Sequence, residues 1–199
     1  MMDSDFNTNI YTPVKKAYLE VQQLRNEISK DDFLRNSTYK GEREKWVASV
    51  FMRGIEKLTN RGWCIQMQKD DPPDCRVVSE RIMSSDKKTY DEAEIEIIYI
   101  LQETANKFNK SKFSKEIADF LAKKKFNKQY PKTYIMLVYL NYSVSIDLNL
   151  LYKCIKKQNP QLGQIWILSA ISPGADRYVI EEIFPGKQRQ EIDICRDFE

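Results

Sequence analysis

Residues 133–140 read TYIMLVYL and residues 163–171 read GQIWILSAI. A strand with one face in water alternates apolar and polar side chains. An almost wholly apolar strand predicts burial on both faces, which happens when helices cover both sides of the sheet. Between the two runs, Asp147 is expected to cap a short helix over about 148–158. A strand, helix, strand crossing makes the two strands parallel neighbours with a right-handed connection. These features predict an α/β chain. Its 199 residues suit one large α/β domain, or one domain with an extension.

The remaining periodicities place other elements around this centre. Val14, Ala17, Tyr18, Val21, Leu24 and Ile28 recur at helical spacing, with Thr12 as the expected cap and Pro13 at the first position. Residues 30–41 read as a polar connection. Trp46, Val47, Val50, Phe51, Ile55 and Leu58 stripe a second helix over about 42–60, with Gly62 expected to end it. Residues 63–68, 75–82 and 92–101 read as three strands with short links, an antiparallel meander. A helical stretch over about 103–125 follows, with a break near Ser111–Ser114 and Ser114 capping its second half. Residues 177–184 read as an edge strand, and 191–195 as a further short one. The expected fold is a mixed central sheet, meander plus parallel crossover strands, flanked by helices. The expected division is an N-terminal helical extension, 1–41, and an α/β domain, 42–199.

Composition excludes several chemistries. The chain has no histidine, so Ser-His-Asp and Cys-His nucleophile systems and HExxH zinc sites are absent. The four cysteines have no CxxC spacing, which argues against structural zinc. No GxxxxGK[ST] loop is present. The opening residues show neither a basic nor an apolar signal region, and no run approaches a membrane span. A cytoplasmic protein with reduced thiols is expected.

The acids carry the sharpest pattern. Glu94 and Glu96 alternate within EAEIEIIYIL and share one strand face, which continues as Ile98 and Ile100. A face that turns from acidic to apolar resembles the floor of a cleft, although an ordinary half-exposed strand gives the same alternation. Asp74 opens the preceding strand within DDPPDC. The twenty positions from Asp74 to Glu94 are enough for a strand, a turn and half a strand back. Three converging carboxylates repel one another unless a cation joins them. Hard oxygen donors suit Mg²⁺ or Mn²⁺. Asp70 and Asp71 read as turn residues, with ligation in place of Asp74 as the alternative.

The order helix, meander, helix, strand, with Pro73-Asp74 opening one strand and an acid-x-acid pair on the next, resembles the PD-(D/E)XK nuclease superfamily over about 42–171. The resemblance implies a restriction-endonuclease-like fold and Mg²⁺-dependent or Mn²⁺-dependent hydrolysis of phosphodiester bonds, chiefly in DNA. It implies Asp74 and Glu94 as metal ligands and catalytic residues. Glu96 stands where the motif has lysine, as a base or additional ligand. It also implies an acid from the preceding helix. Glu44, near the inward stripe, is the first choice for that ligand, Glu56 points away and Glu42 stays open. A homodimer that cuts both strands is a further implication, as is a role in restriction, repair or defence against mobile DNA.

From Lys107 to Lys132 nine lysines face two acids. Such a run is commonly a solvated helix face. Its phosphate-contacting alternative puts Lys107, Lys110, Lys112 and Lys115 on a nucleic-acid backbone, with Gln102 as another contact. Two other readings remain beside the enzyme. One is the same fold without catalysis, as a nucleic-acid-binding or protein-binding subunit, which the missing motif lysine favours. The other is partner binding through the helix at 13–29.

Overall fold

The computed structural model describes residues 10–69, 72–82, 88–109, 112–126, 129–142, 146–171 and 176–199. It is an α/β structure built on an open, mixed eight-stranded sheet with strands in the order β1 to β8. Contacts divide the chain into two compact units, residues 1–93 with Phe198, and residues 94–197 with Glu199. Strand β4, Lys88–Ile100, runs through the division.

In the first unit, helix α1 (Val14–Glu27) buries Val14, Ala17, Tyr18 and Val21. It packs on α3 (Lys40–Thr59), whose apolar stripe of Trp46, Val47, Val50 and Phe51 is also buried. The stripe at helical spacing therefore does what its period predicted. Thr12 is not a cap. Thr12 and Pro13 form a two-residue strand β1, paired antiparallel with Ile65 and Cys64 of β2 (Cys64–Met67). The pairing outcompetes capping because β2 offers an open edge for the backbone.

The segment expected as a connection at 30–41 is helical at Lys30–Arg35 (α2). Ser29 accepts the Asp32 backbone N–H at 3.1 Å, and its hydroxyl donates to Asp32 at 2.8 Å. Phe33 is buried, with the Arg25 guanidinium 5.4 Å from its ring centroid. One cap and one buried aromatic are enough to order a short helix in tertiary context. At the end of α3, Asn60 rather than Gly62 takes the left-handed conformation, with φ 52°. Asparagine tolerates that region better than other side chains. β2 pairs antiparallel with β3 (Cys75–Ile82), matching Ile65 to Val77.

In the second unit, β4 pairs parallel with β5 (Tyr134–Leu140), and β5 pairs parallel with β6 (Gln164–Ala170). All seven residues of β5 are buried, as its apolar run predicted. Asp147 caps α6 (Leu148–Gln158) by accepting the Leu150 N–H at 2.9 Å. The helical stretch expected over 103–125 is interrupted, as expected, before α5 (Phe113–Leu121), but its first part is only the short α4 (Gln102–Ala105) and it ends in a π-helical turn, Ala122–Phe126. Ser114 does not cap; it is buried inside α5, whose N-cap position is Lys112. β7 (Arg177–Phe184) pairs antiparallel with both β6 and β8 (Arg189–Asp193), so β8 is the outer strand of the order and β7 is interior. A short helix α7 (Ile194–Asp197) follows. Ile98 and Ile100 of β4, Met136 and Val138 of β5, and Ile117 and Leu121 of α5 share one core.

Candidate functional site

Two acids gather in the first unit. Asp74 immediately precedes β3 and is only 6% exposed. Its carbonyl accepts the Gln68 N–H at 2.9 Å, which closes the turn from β2. Glu44, in the second turn of α3, is 7% exposed, with Lys40 one turn earlier at 3.4 Å. Both carboxylates act on the same group, the thiol of Cys75. That thiol is fully buried, and its pKa is pushed up first by burial and then by the charges of Asp74 and Glu44. Cys75 is therefore held as a neutral thiol. It offers no soft thiolate, and the donor set around it is carboxylate oxygen.

The other acids of this helix separate cleanly. Glu42 is exposed. Glu56 accepts the Trp63 N–H at 2.9 Å and the Arg53 guanidinium at 2.9 Å, which ties the end of α3 to the chain entering β2. Asp70 and Asp71 lie outside the described residues.

In the second unit, Glu94 is half-buried and Glu96 is 2% exposed. The parallel register sets Glu94 opposite Tyr134, the first residue of β5. From there the Tyr134 hydroxyl donates to one oxygen of Glu96. The Lys125 ammonium, carried by the π-helical turn, pairs with the other. Tyr130 stacks on Tyr134 with centroids 4.3 Å apart. A buried carboxylate needs such partners, since desolvation otherwise favours its neutral form. Both Glu96 oxygens are thus engaged by side chains of its own unit. The apolar continuation through Ile98 and Ile100 is core beneath α5 and α6.

Asp74 and Glu44 belong to the first unit and Glu94 and Glu96 to the second. Among the described residues, no three or more of the cysteines and acids form a group that could hold a metal ion. Two carboxylates remain compatible with Mg²⁺, which usually keeps several of its waters.

Of the lysines singled out, Lys107, Lys112 and Lys115 are exposed, and Lys110 lies outside the described residues, as does the side chain of Gln102. On α5, Phe113, Ile117 and Leu121 face the core, which leaves Lys115 in solvent. Three further residues take part in these arrangements: Cys75, Lys125 and Tyr134. Only Tyr134 carried a legible signal, a hydroxyl at the mouth of an otherwise apolar strand.

Among the described residues no helix is long and apolar enough to cross a membrane. No family model, no curated protein and no solved structure matches the chain.

Proposed function

We propose that the chain is a Mg²⁺-dependent or Mn²⁺-dependent nuclease of restriction-endonuclease-like architecture, acting on DNA. The observation that carries this reading is the buried pair Asp74 and Glu44, whose charges both raise the pKa of the buried Cys75 thiol. The residues fit a hard divalent ion: two carboxylates from a strand entrance and a helix, with sulfur held protonated. Asp74 and Glu44 would hold the ion. When bound, it supplies Lewis acidity and a water of lowered pKa. Burial of the two carboxylates limits competing water around them, and Lys40 offsets part of their charge. Exposed Lys107, Lys112 and Lys115 give the backbone of a polyanion a basic face.

The test is thermal unfolding with and without Mn²⁺. At a hundredfold excess over Kd the ion should add about 2.7 kcal/mol, or roughly 5–10 °C in Tm. Asp74→Asn and Glu44→Gln should each abolish that shift. Plasmid nicking should require the ion and disappear in the same variants.

A second reading, a nuclease-like domain without hydrolysis, is favoured by one observation. Glu96, at the motif's lysine position, is buried and engaged by Lys125 and Tyr134. Metal-induced stabilisation with no cleavage of any DNA or RNA substrate would select this reading. No metal-induced shift at all would remove the first.

A further inference from the structure

The last turn of α3 and the chain entering β2 border two recesses of the first unit, about 430 and 360 Å³ in volume. Their linings share Arg53, Glu56 and Gly62. The larger is mostly apolar and is lined by Pro13, Val78, Trp63 and Tyr90 among others. The smaller is polar and is bordered by Arg53, Lys57 and Arg61. Each volume falls in the range of about 300–1,000 Å³ typical of small-molecule sites.

The side chains differ from ordinary surface in three ways. Trp46 and Trp166 are core, each 2% exposed, whereas Trp63 is only half-buried and lines the recess. Tyr90, also at the recess, is 36% exposed. Two accessible aromatics beside one apolar recess form a stacking surface. The acids there are already paired. Glu56 serves Trp63 and Arg53, and Glu80 holds Lys88 at 2.9 Å. Arg53 meanwhile keeps a buried Nε with no acceptor among the described residues. The C-terminal dipole of α3 opposes an anion at this last turn, so the cations must outweigh it. Three cations border the same recess, and two of them already hold an acid, Arg53 with Glu56 at 2.9 Å and Arg61 with Asp91 at 2.6 Å, so a phosphate would share their remaining guanidinium N–H groups.

We infer that the two recesses form one nucleotide-binding site. A base stacks against Trp63 and Tyr90, and a phosphate is held by Arg53, Lys57 and Arg61. The aromatic half selects a planar ring, and the basic half selects its anion. A free mononucleotide and the terminal nucleotide of a strand present the same chemistry. The site uses none of the buried acids and needs no metal, so its failure is distinguishable from failure of the nuclease reading.

The experiment titrates the intact chain with AMP in EDTA and follows tryptophan emission, with calorimetry alongside. Because the other two tryptophans are core, saturable quenching reports Trp63. Lys57→Gln, an exposed substitution, should weaken AMP about tenfold, the worth of one charge-assisted hydrogen bond, and leave adenosine unchanged. Tyr90→Ala should weaken AMP and adenosine alike. Circular dichroism verifies that both variants fold. A 5′-phosphorylated oligonucleotide that binds more tightly than AMP assigns a strand end, and the reverse order assigns a free nucleotide; either supports the site. No saturable signal with millimolar AMP overturns the inference. So does AMP binding that neither substitution alters, or a Lys57→Gln loss shared equally by adenosine.

Discussion

Glu96 shows how one side chain's partners decide its chemistry. On its face of β4 it continues into Ile98 and Ile100, a place where an unpaired carboxylate would be strongly destabilising. Lys125 and Tyr134 supply charge and a hydroxyl donor instead. Removing one partner of such a pair leaves the other uncompensated. Glu96→Gln should therefore cost about 2–4 kcal/mol in urea unfolding, whereas Glu96→Leu combined with Lys125→Met should come much closer to the parent. A double variant no better than the single would rule out mutual compensation. Cys75 gives a pH dependence. Its folded pKa lies above the unfolded value of about 8.5. The folded state thus keeps a proton that the unfolded chain releases above that pH. The contribution is full below about pH 8.5 and is lost as pH rises, by at most about 1.4 kcal/mol per pH unit. Cys64, raised by burial and then by Glu56, acts in the same direction, so the comparison belongs in a Cys64→Ala background. There, Cys75→Ala should flatten the fall in unfolding free energy between pH 8.5 and 9.5. Tyr142, raised to about 12 by burial, adds its own loss only above about pH 10.

Among the elements, the helices divide by how locally they are specified. α6 is legible because its cap, Asp147, lies directly before its stripe. α1 and α3 are legible from period alone. α2 is not, because six residues are too few to show a period, and its stability comes from Phe33 packing as well as Ser29. The break before α5 is legible in its serines, whereas the π-helical turn after Leu121 is not. Yet that turn is what delivers Lys125 to Glu96. The entry to β6 depends on Gly163. A Cβ there would lie 1.9 Å from the Lys132 carbonyl oxygen and 2.9 Å from that of Tyr134. Backbone atoms cannot step aside as a flexible side chain can. Gly163→Ala should cost about 1–3 kcal/mol and lower the denaturation midpoint without changing its slope. Near-parent stability would show that the β5 entrance yields.

At the scale of the whole molecule, burial is concentrated in the parallel strands. β5 is buried along its length and β6 over most of it, while β8 is the outermost strand in the order. Within the second unit, hydrogen exchange should release β8 and α7 first and the amides of β5 and β6 last. Early exchange in β5 would contradict the assigned core. The parallel centre of the sheet and its covering helices could be read from residues 133–171, because a strand's run of apolar side chains reports the number of faces it buries. The common face of Glu94 and Glu96 was readable for the same local reason, a period of two. What no local period encodes is which distant group arrives at each polar atom. Lys125 at Glu96, and Asp74 with Glu44 at Cys75, depend on how strands and helices far apart in the chain come to rest. The sequence by itself determined secondary structure and the sense of burial, since those follow from side-chain spacing. Only the tertiary structure decided which charges are neutralised and by whom, since electrostatic pairing acts over ångströms of space rather than positions of chain.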